Sequence, residues 1–394
     1  MSLKILHIAP FFHGGVGRVT LNLTKAFIRL GCKVVLATPA EILKELRGHV
    51  EKYYTLRNPT MRDPLYAIQF YGLNHKKIKD IVKLEKPDIV LTHGPLVLVS
   101  KAVNSMPIVS IVHGTYANEV RWMRYHPIFG LEKVRYVTSI YATHRLDMMM
   151  YRVVAQLSNV YLIAVSGNTR RELIEAGVRE DKVFSILNGV DKEVFKPMNK
   201  DYAKTLVEEM FDVKLKNRVF LHVNPGPIKG THTLIKAIAL LRKVYGNDFT
   251  LLIVGRLGPK TYREYVEDMI RGFKLEDNVK LLGYVENKKL PILYNAADIT
   301  IVPSYSEGSP LVIPESLACG TPVIATNVGG NPEYLRMAGL ENYLINITEY
   351  NFCKKCMQRI LLALNHEIKM QYNSIPSWKD SAVKYLEILK WCLT

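Results

Sequence analysis

The segment KILHIAPFFHGGVGRVTLNLTKAFIRLGCKVVLAT, residues 4–38, decides the fold class. Two short apolar runs, residues 4–8 and 33–38, flank a stretch in which apolar residues recur at helical spacing. The recurring residues are Val16, Val19, Leu23, Phe27 and Leu30. The order strand, helix, strand is typical of two parallel strands joined by a crossover helix. We therefore expect an α/β protein.

Short β-branched runs continue this alternation to the end of the chain, at residues 88–93, 108–113, 162–165, 219–223, 250–254, 279–282, 299–302 and 323–325. The stretch NGVDKEVFKPMNK, residues 188–200, divides them and is rich in turn formers and charge, as interdomain linkers are. We predict two doubly wound, Rossmann-like domains, residues 1–190 and 191–376, that face a central cleft. Ligands of such sheets bind beyond the carboxyl ends of the strands.

The composition excludes several classes of protein. Of the 394 residues, 48% are hydrophobic and 23% are charged, which excludes a disordered or low-complexity chain. Apolar runs are too short to cross a bilayer, and the first residues lack the pattern of a secretory signal, so we expect a cytoplasmic protein. Five scattered cysteines indicate reduced thiols, and the C-x-x-C at residues 353–356 lies in a helical pattern, which argues against redox or metal binding there.

The net charge of +17 is concentrated in residues 1–190, which hold 26 basic and 14 acidic residues. Such an excess attracts phosphates, anionic membranes or nucleic acid. The lysines of residues 74–86 have the pattern of a solvated helix face. Residues 121–152 mix arginines with Trp122 and Met123, a composition that suits an anionic membrane surface. The chain contains no recognised nucleic-acid module, so we expect no nucleic-acid partner.

Two loops that follow strands are candidate anion sites. In HGGVGRVT, residues 13–20, the amides near Gly15 and Gly17 open a helix, where an anion is favoured. The loop matches neither the dinucleotide fingerprint nor the phosphate-binding P-loop, and a plain tight turn is the alternative. In PGPIKG, residues 225–230, Lys229 lies beside a helix N-terminus and suits a diphosphate, although a solvated lysine is the simpler interpretation.

His93 and His113 each end a strand and are followed by glycine. A histidine at such a position is more often a hydrogen-bonded structural residue than a catalytic group. From the residues alone we therefore favour the structural role for both.

The segment SYSEGSPLVIPESLACGTPVIATNVGGNPE, residues 304–333, contains Glu307 and Glu315. On a single helix these carboxylates would be about 12 Å apart along the axis, too far for the paired acids of a glycosidase. We expect Glu307 in a loop, Gly308, Ser309 and Pro310 opening a helix, and Glu315 about one turn inside it. The two carboxylates then accept hydrogen bonds from sugar and ribose hydroxyls. A helix cap or a surface acid is the alternative.

Together these residues resemble the retaining glycosyltransferases of family 4, which have the GT-B fold. The resemblance covers nearly the whole chain and is carried by GGVGR, His113 in VHG, Asn188-Gly189-Val190-Asp191 with Phe195, Lys229-Gly230, EGSPLVIPESLACGTPVIAT and GGNPE. Residues 377–389 are similar to the closing helix of that family, which packs back on the first domain, so residues 377–394 are assigned to that domain.

The resemblance implies a hexosyltransferase of glycan biosynthesis that needs no metal and no cofactor. A nucleotide sugar is the donor, and the sugar passes to an acceptor: a lipid-linked glycan, a glycan or a phosphate-bearing molecule. The excess positive charge and the aromatic, basic residues 121–152 favour a lipid-linked or phosphate-bearing acceptor and an enzyme that is peripheral on the inner face of the cell membrane. The resemblance implies His113 at the reacting sugar and Glu307 on the sugar. The other implied donor-binding residues are Gly15, Gly17, Lys229, Gly308, Ser309, Leu311 and Glu315.

The chain departs from the family at Asn224, where an arginine five residues before the lysine is usual. Arg256 or Arg18 is our hypothesis for a compensating cation at the diphosphate. The departure also allows weaker catalysis or an unusual donor. Independently of it, two alternatives to a transferase stay open: a nucleotide-sugar-binding protein without transfer activity, and a nucleotide-sugar epimerase of the same fold.

Overall fold

The computed structural model describes residues 2–10, 14–39, 46, 48–59, 66–94, 103, 106–123, 126–128, 130–154, 156–347 and 351–394. His13 of the first glycine loop lies outside these residues.

The chain forms two compact units. Unit 1 comprises Met1–Val120, Tyr136–Gly189 and Pro376–Thr394, and unit 2 comprises Arg121–Arg135 and Val190–Ile375. The segment Arg121–Arg135, which we predicted within the domain of residues 1–190, groups with unit 2 because the buried Trp122 joins the hydrophobic core of that unit.

Unit 1 contains a parallel sheet of seven strands in the order β3-β2-β1-β4-β5-β6-β7. The strands are β1 (Lys4–Ile8), β2 (Lys33–Thr38), β3 (Lys52–Thr55), β4 (Ile89–His93), β5 (Ile108–Val112), β6 (Val160–Ala164) and β7 (Val183–Ser185). The described helices of its chain segments are α1 (Gly14–Arg29), α2 (Tyr66–Glu85), α3 (Ala117–Trp122), α4 (Gly130–Val154) and α5 (Gly167–Glu175), of which α3 and α4 also contribute residues to unit 2. The strand order reverses between β1 and β4, where a ligand of this architecture binds.

The last helix of the chain, Trp378–Trp391, belongs to unit 1. It begins with a capping box in which Ser377 and Asp380 bond each other's backbone amides. Tyr385 packs edge-on against Phe27 of α1 with ring centroids 6.2 Å apart. A β-carbon on Gly189 would lie 2.5 Å from the backbone of Ser377, so only glycine fits in the linker motif at this point.

Unit 2 contains a parallel sheet of six strands in the order β10-β9-β8-β11-β12-β13. The strands are β8 (Arg218–Val223), β9 (Phe249–Val254), β10 (Val279–Gly283), β11 (Ile299–Val302), β12 (Val323–Thr326) and β13 (Leu344–Ile345). The helices are α6 (Lys200–Phe211), α7 (Thr231–Tyr245), α8 (Lys260–Gly272), α9 (Leu290–Ala296), α10 (Val312–Ala318), α11 (Asn331–Met337) and α12 (Phe352–Asn365); the C-terminal helix is α13. Here the order reverses between β8 and β11.

The predicted α/β class, with two doubly wound parallel sheets, is confirmed. Within the described residues, no helix is both long enough and apolar enough to span a bilayer.

Candidate functional site

Lys229 and Glu307 form an ion pair in unit 2. Lys229 follows β8 and Glu307 follows β11, the two neighbouring strands at which the strand order reverses. The Nζ atom of Lys229 lies 2.8 Å from both Oε1 and Oε2 of Glu307, and the Ser304 hydroxyl donates to Oε1 at 2.6 Å. The side chain of Glu307 is only 8% exposed, whereas that of Lys229 is 26% exposed. The pair is therefore fixed by charge-assisted hydrogen bonds yet open to solvent on the lysine side.

The loop that carries Lys229 interlocks with the loop that follows β11. The amide of Tyr305 donates to the carbonyl of Ile228 at 2.8 Å. Gly230 has φ +70°, and a β-carbon there would lie 2.0 Å from the carbonyl oxygen of Pro303. Only glycine permits this approach, which explains the Lys-Gly pair of the motif and holds Lys229 beside Glu307.

The GGNPE loop supports the loop of Glu307 from the next strand, β12. The amide of Gly330 donates to the carbonyl of Gly308 at 2.7 Å, and Ser309 Oγ lies 2.7 Å from the Tyr334 hydroxyl. The structure thus brings together Lys229, Glu307, Gly308 and Ser309, four of the residues that the resemblance implied for the donor site. Ser304 and Tyr334 were not predicted from the sequence. Ser304 lies in the loop after β11 and Tyr334 lies in α11.

Glu315 lies in the first turn of α10, but the helix begins later than the sequence indicated. Its first residue is Val312, preceded by Leu311, rather than Gly308. Proline disfavours helical backbone in the residue before it, so Pro310 keeps Ser309 out of the helix. Glu315 is buried, with 3% of its surface exposed, and its carboxylate accepts a hydrogen bond from the Tyr294 hydroxyl at 3.0 Å.

The linker motif contributes to the same place in unit 2. Phe195 packs edge-on against the ring of Tyr294 with centroids 6.0 Å apart. The Tyr294 hydroxyl donates a hydrogen bond to Glu315. By fixing the Tyr294 ring, Phe195 therefore also helps to orient the Glu315 carboxylate. Tyr294 has no motif of its own and was not predicted from the sequence.

Asn224 has a left-handed backbone, φ +64°, and an exposed side chain. Its amide donates to the carbonyl of Val254 at 2.7 Å. Gly255 packs on the same loop, since a β-carbon there would lie 2.7 Å from Pro225 Cδ and 3.2 Å from Asn224 Cα. Arg256 comes directly after Gly255, which contacts the loop that carries Lys229. The guanidinium of Arg256 lies over the Tyr284 ring, 5.8 Å from the ring centroid.

The remaining predicted residues lie in unit 1. Gly15 and Gly17 are in the first turn of α1, Gly15 exposed and Gly17 buried, and Arg18 follows them half-buried. His113 follows β5 and is partly buried. Its Nε2 lies 2.7 Å from Nδ1 of His93, the last residue of β4.

The loop after His113 is anchored by Glu172 of α5. The Thr115 hydroxyl donates to one Glu172 oxygen, and the Asn168 amide donates to the other at 2.7 Å. Burial raises the pKa of the Glu172 carboxyl. Glu172 and Asn168 were missed, because nothing in the sequence links α5 to the end of β5.

The described residues hold no group of three or more histidine, cysteine or acidic side chains arranged to bind a metal ion. Cys353 and Cys356 lie on α12 as free thiols, and burial raises the pKa of Cys356 to about 12. A thiol of that kind is protonated at neutral pH and is a poor nucleophile.

Two family profiles match the chain. One, described as Glycosyl transferases group 1, matches residues 208–371, and the other, described as Glycosyltransferase Family 4, matches residues 13–194.

Two curated relatives show the same likeness. A phosphatidylinositol N-acetylglucosaminyltransferase subunit from Arabidopsis thaliana is 24% identical over 343 residues, covering 85% of this chain and 69% of the relative. A D-inositol 3-phosphate glycosyltransferase of Corynebacterium glutamicum (strain R) is 34% identical over 155 residues, covering 39% of this chain and 37% of the relative. The second match thus spans little more than a third of that relative.

Solved structures are similar over the full chain. A glycosyltransferase from Rickettsia africae ESF-5 has a TM-score of 0.74 and 22% identity, covering 100% of this chain and 99% of its own. Anabaena Alr3699/HepE in complex with UDP-glucose has a TM-score of 0.67 and 19% identity, covering 98% and 100%. At these identities the likeness establishes the fold alone.

Proposed function

We propose that this chain moves a sugar from a nucleotide diphosphate sugar to an acceptor. The reaction retains the anomeric configuration and needs no metal ion. The proposal starts from the family of the chain, which belongs to the glycosyltransferases of group 1 and family 4. The observation that carries the proposal is the ion pair between Lys229 and Glu307. It puts a cation and a sugar-binding carboxylate side by side beyond the strands where a ligand of this fold binds.

The donor is held by unit 2. Lys229 is the more exposed member of the pair, so its ammonium can turn from Glu307 to an oxygen of the diphosphate. Glu307 then accepts hydrogen bonds from the sugar hydroxyls. Glu315, held by Tyr294, accepts from the ribose. Backbone amides of Gly308, Ser309 and Leu311 complete the proposed set in unit 2. Gly15 and Gly17 are the donor-binding residues proposed in unit 1. Anabaena Alr3699/HepE, which has this fold, was crystallised with UDP-glucose, which supports the donor class.

The reaction breaks the bond between the anomeric carbon and the diphosphate oxygen. The sugar gains positive charge and the departing diphosphate gains negative charge, so Lys229 stabilises the leaving group in the transition state. The acceptor oxygen attacks from the face that the diphosphate leaves, and its proton passes to a diphosphate oxygen. No protein nucleophile is needed. His113 contacts the reacting sugar.

A phosphate-bearing acceptor fits the charge of the chain, whose net value is +17. The two relatives are named for phosphatidylinositol and for D-inositol 3-phosphate. We therefore place inositol phosphates, free or as lipid headgroups, first among acceptors, ahead of neutral or lipid-linked glycans.

The surface of α4 suits contact with an anionic membrane. Its buried residues, Thr143, Asp147, Tyr151 and Val154, lie on one face. Its exposed residues are mostly apolar or basic, namely Leu131, Val134, Arg135, Tyr141, Arg145, Met149, Arg152 and Val153, with Glu132 and Thr138 also exposed. Apolar side chains enter the headgroup region while arginines bind lipid phosphates. We propose peripheral attachment at the cytoplasmic face of a membrane.

The test is a screen of the purified protein. UDP-, GDP- and ADP-sugars are ranked by thermal shift, and the stabilising donor is then incubated with D-inositol 3-phosphate, or with vesicles containing phosphatidylinositol, with and without EDTA. We expect release of nucleoside diphosphate that depends on acceptor, resists EDTA and gives a product of the donor's anomeric configuration. Interconversion of free nucleotide sugars would identify an epimerase, and binding without release would identify a non-catalytic binder.

A further inference from the structure

Three histidines of unit 1 form a continuous hydrogen-bonded chain. Nε2 of His113 lies 2.7 Å from Nδ1 of His93, and Nε2 of His93 lies 2.9 Å from Nε2 of His7 in β1. The rings of His93 and His113 are within 4° of parallel with centroids 5.0 Å apart. A nitrogen separation that short at that centroid distance means that the rings meet edge to edge, as an in-plane hydrogen bond requires, rather than face to face.

All three imidazoles are neutral at neutral pH. Burial among the strands lowers the pKa of His113 to about 4 and that of His7 to about 3, and it lowers the pKa of His93 as well. A neutral imidazole has one N–H donor and one acceptor nitrogen. Every hydrogen bond in the chain must therefore run in the same direction, either toward His113 or away from it.

Thr20 of α1 selects the direction. The Thr20 hydroxyl donates to the carbonyl of Val16 at 3.0 Å, the usual bond of a helical threonine, and its oxygen lies 3.2 Å from Nε2 of His93. Because its proton is used, that oxygen accepts from His93, which assigns the proton of His93 to Nε2. Nδ1 of His93 is then the acceptor, and His113 donates to it from Nε2.

The inner end of the chain is consistent with this direction. His93 Nε2–H is shared between Thr20 and Nε2 of His7, and His7 donates from Nδ1 to the Thr24 hydroxyl at 3.0 Å. The result at the other end is that Nδ1 of His113 has a lone pair. Within the described part of the chain, that nitrogen has no hydrogen-bond partner.

We propose that His93 and His7 are positioning residues that hold His113 in its Nε2–H tautomer, so that Nδ1 accepts a hydrogen bond from a sugar hydroxyl. The sugar as ligand rests on the proposed function; the tautomer does not. A neutral acceptor is the form that the reaction requires, because an imidazolium would repel the positive charge that develops on the sugar.

The tautomer is measured without substrate, by nitrogen-15 NMR of histidine-labelled protein, with His113→Ala to assign the signals. We expect His113 protonated at Nε2 in the wild type. His93→Asn keeps an amide oxygen near the position of Nδ1 and should preserve the tautomer, whereas His93→Leu removes the acceptor and should give a mixture. Thr20→Val, which removes the hydroxyl that selects the direction, should also give a mixture and replaces His93→Leu if that variant does not fold. An Nδ1–H tautomer in the wild type, or an unchanged tautomer in the variants that lose a partner, overturns the inference.

Turnover of UDP-glucose and UDP-N-acetylglucosamine adds a functional readout. His93→Leu should lower kcat roughly 10- to 100-fold at nearly unchanged KM, and His93→Asn should restore most of it. Wild-type kcat in His93→Leu would overturn the positioning role. If neither donor is turned over by the wild type, the proposed function fails for those donors while the NMR result still decides the tautomer.

Discussion

Gly329 packs directly against the backbone of Glu307: a β-carbon at residue 329 would lie 2.1 Å from the Glu307 carbonyl oxygen. Gly329 also has φ +53°, a conformation that side chains rarely adopt. The GGNPE motif therefore lets one loop approach another closely, and the position of Glu307 depends on it.

Gly329→Ala should displace the loop of Glu307 and weaken donor binding by about tenfold or more, with a lower melting temperature, because close contact and backbone strain both oppose the native loop. Gly272→Ala, at an exposed position at the end of α8, is the control, since nothing lies within 4 Å of a β-carbon there. Both quantities come from thermal shift and calorimetric titration with the donor. Equal behaviour of the two variants would contradict the packing role of Gly329.

Tyr294→Phe should weaken nucleotide binding roughly 10-fold, because the Tyr294 hydroxyl bonds and orients the buried Glu315 carboxylate and a bond to a charged group contributes about 1.5–3 kcal/mol. Tyr202→Phe, at an exposed position on α6, should bind like the wild type. Calorimetric titration with UDP measures both. If Tyr294→Phe binds UDP normally, Tyr294 does not support a ribose site.

Arg256→Ala tests the compensation for Asn224. Gly255 contacts the loop that contains Asn224, and Arg256 is the next residue along the chain. We expect donor affinity to fall by about 5- to 10-fold, as for loss of one charge-assisted contact. Arg263→Ala, an exposed arginine on α8, is the control. Unchanged binding and turnover in Arg256→Ala would eliminate this candidate and leave Arg18.

The stability of the protein should fall as the pH is lowered from about 6.5 to 4. Burial lowers the pKa of His222 to about 4, and its Nδ1 donates to the Ile301 carbonyl at 3.0 Å. Above pH 6.5 the His222 imidazole is neutral in both the folded and the unfolded chain, so it does not make the free energy of unfolding depend on pH. Below it the unfolded chain gains a proton that the folded chain excludes, so stability is lost, on the order of 2–3 kcal/mol for such a shift.

The measurement is the melting temperature as a function of pH. His222→Asn keeps a donor near Nδ1 and cannot titrate, so its melting temperature should depend less on pH than that of the wild type. His49→Asn, at an exposed position, should match the wild type. An identical slope in all three proteins would show that His222 does not contribute to the acid dependence.

The predicted GT-B class was correct because the central strands are continuous buried runs: Lys4–Ile8, Lys33–Thr38 and Ile299–Val302 were predicted to the residue. The strands Lys52–Thr55, Val183–Ser185 and Leu344–Ile345 were missed. They lie at the sheet edges, are short or partly exposed, and carry no apolar pattern long enough to detect.

The sequence predicted individual residues of the candidate site but not which of them contact one another. Lys229 and Glu307 are 78 residues apart, and their contact depends on β8 and β11 being neighbours, which the sequence does not state. His7 was missed for a related reason. It lies within a strand, not at its end, and only the pairing of β1 with β4 brings it beside His93.

The most direct test of the account asks whether Lys229 and Glu307 act together on a nucleotide sugar. The measurement is acceptor-dependent release of nucleoside diphosphate by the Lys229→Ala and Glu307→Gln variants. Lys260→Ala, at an exposed lysine, is the control. We expect each variant at the pair to lower kcat/KM by about 100-fold or more while the control matches the wild type. Wild-type rates in both variants would show that the pair does not serve the reaction.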